Sequence, residues 1–323
     1  MSASRIHQDL SFDEIARVIT HIYGINAKVY ATKLLKGGLF NTTYLVKTNA
    51  DEAGIILRAA PTNQAVLLDF EKSMMSAEPW FYKRLHEADV PAPVVLHHDN
   101  SRKIIPREYI LFRYLPSVSM NHPTVPNQVK GGLYRQLGAI IARLHSIQHD
   151  EFGWMRPTGE MDMYPTWSSF LQRFANEISE KAARERLFYP EELARFQRVF
   201  AAPKVFEQIN IGRMVHADLW EGNVLVREKR GRWEIAALID VDKAVFGDPM
   251  FEFAFPTVVN SDFLVGYGAQ LESSSDTRYR RKAYQLLYHF MYTYIWHAQF
   301  ADDARSLAEN RSGLELLASF ETF

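Results

Sequence analysis

Apolar residues at Phe12, Ile15, Ile19, Ile22 and Tyr23 recur at helical spacing behind Ser11-Phe-Asp-Glu14, a capping-box pattern, and Gly24 ends the run. The pattern predicts a helix that opens the domain. Lys28 to Leu35, Thr42 to Thr48 and Gly54 to Ala60 then form short β-branched or apolar runs, parted by Gly37-Gly38 and by Asn49 to Ala53. They predict a three-strand meander. A long helical pattern covers about Asp69 to Ala88, and strand character returns at Val94 to Leu96 and at Arg107 to Tyr114.

After Pro116 most of the chain is helical in pattern: Gln128 to Ser146, Trp167 to Arg186, Pro190 to Phe200, Pro249 to Val259 and Thr277 to Phe300. Only the stretch from about Ile211 to Asp240 is β-rich. The chain therefore predicts a two-lobed α+β architecture: a β-rich lobe over 1–115, hinge included, and a mostly helical lobe over 116–323, with any site in the cleft between them.

Composition narrows the class. With 47% hydrophobic residues over 323 positions there is ample core, and 37 Lys and Arg against 38 Asp and Glu give a net charge of −1. Such a balance offers no electrostatic footprint for nucleic acid or an anionic membrane. There is no cysteine, which excludes disulfides, thiolate nucleophiles and Cys-based zinc sites. No apolar run reaches membrane-spanning length, and the amino terminus lacks an apolar signal region, so a cytoplasmic protein is expected.

The chemistry concentrates in Met214-Val-His-Ala-Asp-Leu-Trp-Glu-Gly-Asn-Val-Leu-Val226, which sets His216, Asp218 and Asn223 at the H-x-D-x-x-x-x-N spacing of a kinase catalytic loop. Leu238-Ile-Asp-Val-Asp242 follows, with Asp240 at the end of a strand. Phosphoryl transfer needs positioned groups and charge neutralisation more than covalent chemistry. Asp218 can orient an acceptor hydroxyl and take its proton late, while Asn223 and Asp240 offer the oxygen ligands that hard Mg²⁺ prefers. Leu35 to Tyr44 lies between two predicted strands, where Gly37 and Gly38 let backbone N–H groups approach a phosphate or simply make a hairpin turn. Asn41 and Thr42 add side-chain donors. Arg58, on the third strand, stands where kinases keep the lysine that pairs with ATP phosphates, with Lys47 as fallback; Glu78, ahead of Glu71, is the helix acid to hold it.

These residues resemble the aminoglycoside phosphotransferase family, within the wider group that includes choline and fructosamine kinases. The similarity runs from Gly37-Gly38 through Leu111 to Pro116, Leu144-His145, His216 to Asn223 and Leu238 to Asp242 as far as Gly247-Asp-Pro249. It implies a bilobal protein-kinase-like fold, ATP as co-substrate with Mg²⁺, transfer of the γ-phosphoryl to a small-molecule hydroxyl, and adenine against hinge backbone near Phe112 to Tyr114. Three positions depart from the family pattern: Ala217 replaces glycine, Val241 tryptophan and Arg58 lysine. No A-P-E follows Asp240, and nine residues to Pro249 are too few for a peptide-docking segment, which argues against a protein kinase.

Residues 116–323 hold 23 Lys and Arg against 26 Asp and Glu. With Glu221, Asp242, Glu252 and Asp262 near the catalytic stretch, that excess suggests an amine-bearing acceptor, such as an aminoglycoside antibiotic in a resistance enzyme. The alternatives are a metabolic kinase for choline, an amino alcohol or a sugar amine, and a nucleotide-binding pseudokinase.

Overall fold

The Ser11 hydroxyl accepts the Glu14 N–H while the Glu14 carboxylate accepts the Ser11 N–H, so the first helix starts where the capping pattern predicts. The computed structural model describes residues 4–35, 40–154, 164–201, 204–271 and 273–320. Its helices are α1 (Phe12–Tyr23), α2 (Met74–Glu87), α3 (Asn127–Leu144), α4 (Trp167–Arg184), α5 (Pro190–Ala201), α6 (Lys204–Glu207), α7 (Ser261–Tyr267), α8 (Ser275–Ala298) and α9 (Asp303–Ala318). The strands are β1 (Val29–Leu34), β2 (Thr42–Thr48), β3 (Asp51–Ala59), β4 (Val95–Asp99), β5 (Tyr109–Arg113), β6 (Val118–Ser119), β7 (Gln148–His149), β8 (Gly153–Trp154), β9 (Gly212–Val215), β10 (Val224–Lys229), β11 (Arg232–Leu238) and β12 (Val245–Gly247).

The chain forms two compact units. A β-rich unit takes Ile6–Thr124 and Gly222–Asp242; a helical unit takes Met1–Arg5, Val125–Glu221 and Lys243–Phe323.

In the β-rich unit the expected meander grows into a five-stranded sheet ordered β1-β2-β3-β5-β4. The β2–β3 turn is tighter than the sequence suggests, because Thr48 pairs with Asp51 and the strand begins before Gly54. A register shift after Val46 absorbs the added residues, and Gly54 takes a φ of 99° there, as a bulge requires. Ile55, Leu57 and Ala59 point to the face that buries Ile15, Val18 and Ile19 of α1. Strand alternation therefore turns Arg58 to the opposite face, the side on which Tyr82 of α2 packs edge-on against Phe112 at 5.4 Å. A second sheet in this unit, β11-β10-β6, carries a hairpin whose two turn residues, Arg230 and Gly231, both have positive φ.

The helical unit packs α4 and α5 against α8, with Phe290 stacked between Phe188 and Phe196 at 4.1 Å from each. Helix α3 crosses α7 so closely that a Cβ on Gly138 would lie 2.0 Å from the Phe263 carbonyl oxygen. Its small sheet is ordered β7-β9-β12-β8. The helix expected over Pro249 to Val259 is a single 3₁₀ turn, Pro249–Phe251; Pro256 has no N–H to continue a helix and disfavours helical backbone at Phe255. Helices α6, α7 and α9 are additions that the apolar spacing does not predict. No helix among the described residues is long and apolar enough to cross a membrane.

Candidate active site

In the helical unit, apolar β9 delivers the chain to His216, which is fully buried. The next residue, Ala217, holds a φ of 61°, the left-handed region where glycine is at ease and a side chain is strained by about 1 kcal/mol. That explains the glycine usual here. The turn is pinned from several sides: the Glu252 carboxylate accepts the His216 N–H at 2.7 Å, the Tyr288 hydroxyl donates to the Ala217 carbonyl at 3.1 Å, and Thr257 donates to the Leu219 carbonyl at 3.2 Å. His216 Nδ1 accepts the Asp218 N–H at 3.3 Å, so the ring orients the very residue that follows the turn. His145 packs behind this network, donor or acceptor to the Tyr267 hydroxyl at 2.9 Å, with its other nitrogen 3.7 Å from Glu252.

The Asp218 carboxylate is 27% exposed and meets the Lys243 ammonium at 3.2 Å. Lys243 lies over the Tyr292 ring, 5.9 Å from its centroid. Burial raises the Tyr292 phenol above its ordinary pKa, against the opposing effect of Lys243. Burial likewise holds Tyr288 protonated, ready to donate.

The β-rich unit is organised by Arg58, 8% exposed. Its Nη1 lies 2.9 and 3.0 Å from the two oxygens of Glu78, and its Nη2 lies 2.6 Å from Asp240 and 2.8 Å from Asp242. Asn41, with its amide oxygen turned to the guanidinium, accepts from Nη2 at 2.6 Å and from Nε at 2.9 Å. One residue thus ties α2, the end of β11 and the start of β2. Burial works against the guanidinium's charge, but Asp240, Glu78 and Asp242 outweigh it and hold its pKa well above the ordinary value. Burial pushes the Glu78 carboxyl well above the usual carboxylate range despite the pull of Arg58.

Asn223 and Asp240 are brought to one rim because β10 and β11 pair up to Val224 and Leu238, and the Ile239 N–H continues the ladder to the Asn223 carbonyl at 3.0 Å. Asp240 has a φ of 60°, which turns its side chain out of the strand direction. The donor set suits Mg²⁺, because the amide oxygen of Asn223 and the carboxylate of Asp240 are hard ligands.

Other predicted nucleotide contacts divide. Gly37 and Gly38 lie outside the described residues. Thr42 is fully buried, its hydroxyl donating to the Gln8 carbonyl at 2.9 Å and accepting from Arg107 at 3.1 Å, which commits its side chain to the fold. Asn41 faces Arg58. Lys47 is exposed, donating to the Ala53 carbonyl and lying 5.5 Å over the Tyr114 ring, while Arg58 has the acids around it. Phe112 is an interior-strand residue paired with Ile56 and Val95, and Tyr114 follows at the strand's end, half-buried. Glu71 caps the Leu68 N–H at 2.7 Å, while Glu78 is the helix acid that meets Arg58.

The four acids that suggested a cationic acceptor are engaged internally. Glu221 takes Lys130 at 2.9 Å and the Tyr134 hydroxyl at 2.5 Å; Asp262 takes Arg135 at 2.7 Å; Asp242 takes Arg58; and Glu252 takes the His216 N–H. Two roles escaped the sequence. Glu252 braces the catalytic loop, and Lys243 reaches Asp218; the only sequence signal for the latter is a lysine three residues past Asp240.

Comparison with known proteins gives the chain's family and fold. The model of the phosphotransferase enzyme family (APH) matches residues 31–281. A ketoamine kinase of Staphylococcus aureus, so named as probable, is 23% identical over 266 residues, 78% of this chain and 83% of that protein. Mouse acyl-CoA dehydrogenase family member 10 is 27% identical over 232 residues, 68% of this chain but 19% of that protein, so the chain spans about a fifth of its length. Among solved structures, a thermostable variant of aminoglycoside phosphotransferase APH(4)-Ia in complex with AMP-PNP and hygromycin B aligns with a TM-score of 0.64 and 20% identity, over 93% of this chain and 99% of that one. The fold is the bilobal, protein-kinase-like α+β fold that the sequence predicts.

Proposed function

The chain belongs to the phosphotransferase enzyme family, as a small-molecule kinase, and on that premise we propose that it moves the γ-phosphoryl group of ATP to a hydroxyl of a small acceptor. The observation that carries the reading is the Arg58 guanidinium, which holds the helix acid Glu78 and the strand-end acid Asp240 at once. Asp218 orients the acceptor hydroxyl and receives its proton as the oxygen attacks phosphorus and the bond to the β-phosphate oxygen breaks. Arg58, steadied by Glu78 and Asn41, pairs with phosphate oxygens as a fork. Asn223 and Asp240 hold Mg²⁺, which when bound neutralises charge on the phosphate oxygens. Adenine rests against backbone around Phe112 to Tyr114, and Gly37 and Gly38 are the residues whose backbone N–H groups would be free to approach a phosphate.

Asp218→Ala tests this directly. Product formation from ATP and acceptor should fall about 10²- to 10⁴-fold with an unchanged melting temperature; turnover equal to wild type would sink the assignment.

A second reading makes the acceptor an amine-bearing alcohol, an antibiotic or a metabolic sugar amine. The ketoamine kinase relative and the hygromycin B complex favour it. Mass spectrometry of products from an acceptor panel of aminoglycosides, choline and fructosamines distinguishes its branches, and transfer to none of them removes it. Tight ATP binding with no transfer to any acceptor would revive a pseudokinase role, against which the joint presence of Asp218, Asn223 and Asp240 argues.

A further inference from the structure

The surroundings of Asp218 carry a charge opposite to the one that an amine-bearing acceptor needs. Lys243 brings its ammonium to 3.2 Å from the Asp218 carboxylate, with both side chains about three-quarters buried. The ring beneath that ammonium, Tyr292, offers the sort of aromatic face that would hold a substrate cation, and here the protein's own cation lies over it. Tyr292 stacks on Tyr288 at 6.0 Å, and Tyr288 is bound to the loop through the Ala217 carbonyl, so the lysine, the two phenols and Asp218 form one cluster. The nearby acids of the same unit are each engaged: Glu221 with Lys130, Asp262 with Arg135, Glu252 with the His216 N–H. An ammonium group brought to Asp218 would meet Lys243 as a like charge, whereas an anion would find a partner.

Building on the phosphotransferase reading, we infer that Lys243 is the specificity-determining residue of the acceptor site and that the acceptor is a hydroxy acid, its hydroxyl on Asp218 and its carboxylate on Lys243. A lysine suits this role because its flexible stem and rotatable donors let the ammonium swing from Asp218 to an incoming carboxylate. Pairing with Asp218 before the acceptor arrives keeps both groups neutralised. The transfer itself is as described above: the hydroxyl oxygen bonds to the γ-phosphorus, its proton passes to Asp218, and ADP leaves.

The test compares matched alcohols in the full-length chain with ATP and Mg²⁺: short hydroxy acids, their primary amides, and amino alcohols of equal length. The wild-type chain should phosphorylate the acid in preference to its amide, and Lys243→Met should raise KM for the acid about 10- to 100-fold and so erase that preference. Lys243→Arg should keep the preference, and circular-dichroism melting of all variants separates this from misfolding. Preference for the amino alcohol, or a Lys243→Met loss expressed in kcat for acid and amide alike, overturns the inference; the latter assigns Lys243 to the transferring phosphoryl group instead. Slow ATP hydrolysis without acceptor, abolished by Asp218→Ala, reports the phosphotransferase reading separately. If it persists while hydroxy acids are inert and amines are phosphorylated, only the acceptor class is wrong.

Discussion

The loop around Asp218 and the cluster around Arg58 both hold acids in place, by opposite means. The loop is fixed through its main chain: a carboxylate on the His216 N–H, hydroxyls on the Ala217 and Leu219 carbonyls, and a histidine ring on the Asp218 N–H. Each bond is replaceable in part by its neighbours, and the Asp218 side chain stays 27% exposed for chemistry. In the cluster one buried cation, Arg58, holds Glu78, Asp240, Asp242 and Asn41 at once. A distributed scaffold tolerates loss; a hub does not, because removing one partner of a buried ionic network leaves uncompensated charges.

The widest gap between the two should appear at Arg58. Arg58→Met keeps the stem and removes the charge, so it should lower the unfolding free energy by about 3–5 kcal/mol, read from urea midpoints, and abolish transfer. Adding Asp242→Asn to that variant should recover part of the loss, since one buried carboxylate left without its cation is then gone. A loss below about 1 kcal/mol in Arg58→Met would mean that the acids do not depend on this cation, and the contrast would fail.

The same difference decides what the sequence reveals. Asp218 and Asn223 lie within eight residues of His216, so a motif exposes them, and the flanking strands are legible from their apolar runs. Arg58, Glu78 and Asp240 come from distant stretches; kinase logic points to each, but that Asp242 and Asn41 join them depends on strand pairing and on the face that Arg58 occupies. Glu252 and Lys243 were hidden for a related reason. A charged residue near a motif reads as surface until packing supplies its partner. Helix α7 shows a different failure: Asn260 caps it and Gly268 ends it in the left-handed region, yet seven residues are too few for apolar spacing to register. Over Pro249 to Val259 the apolar spacing overrode the warning in Pro256.

A milder probe of the distributed side is Tyr134, which with Lys130 ties Glu221 at the end of the loop. Burial first, then the Glu221 carboxylate, push its phenol up to about 12. An acid whose folded pKa is raised adds stability that is complete below its unfolded value near 10 and is lost as pH climbs from about 10 to 12. Tyr134→Phe should therefore cost about 1 kcal/mol or less at pH 8, with the gap from wild type narrowing by pH 11 in urea unfolding. Turnover should drop only a few-fold, because Lys130 remains. A gap that widens at pH 11 would show that the hydroxyl's bond to Glu221 is not what Tyr134 contributes.

The smallest effect belongs to Ala217, and it separates strain from restraint. Its φ of 61° disfavours any side chain, so Ala217→Gly relieves about 1 kcal/mol in the fold while freeing the unfolded chain by a similar amount. The two should nearly cancel, leaving the urea midpoint within about 0.5 kcal/mol of wild type. Turnover should stay within about threefold, since the Glu252 and Tyr288 bonds act on backbone groups that glycine retains. Ala217→Val adds a β-branched side chain to the same conformation and should destabilise by more than 1 kcal/mol. If glycine instead cut kcat tenfold without moving the midpoint, the loop would depend on the alanine's rigidity, and the hydrogen bonds around it would not suffice to hold Asp218.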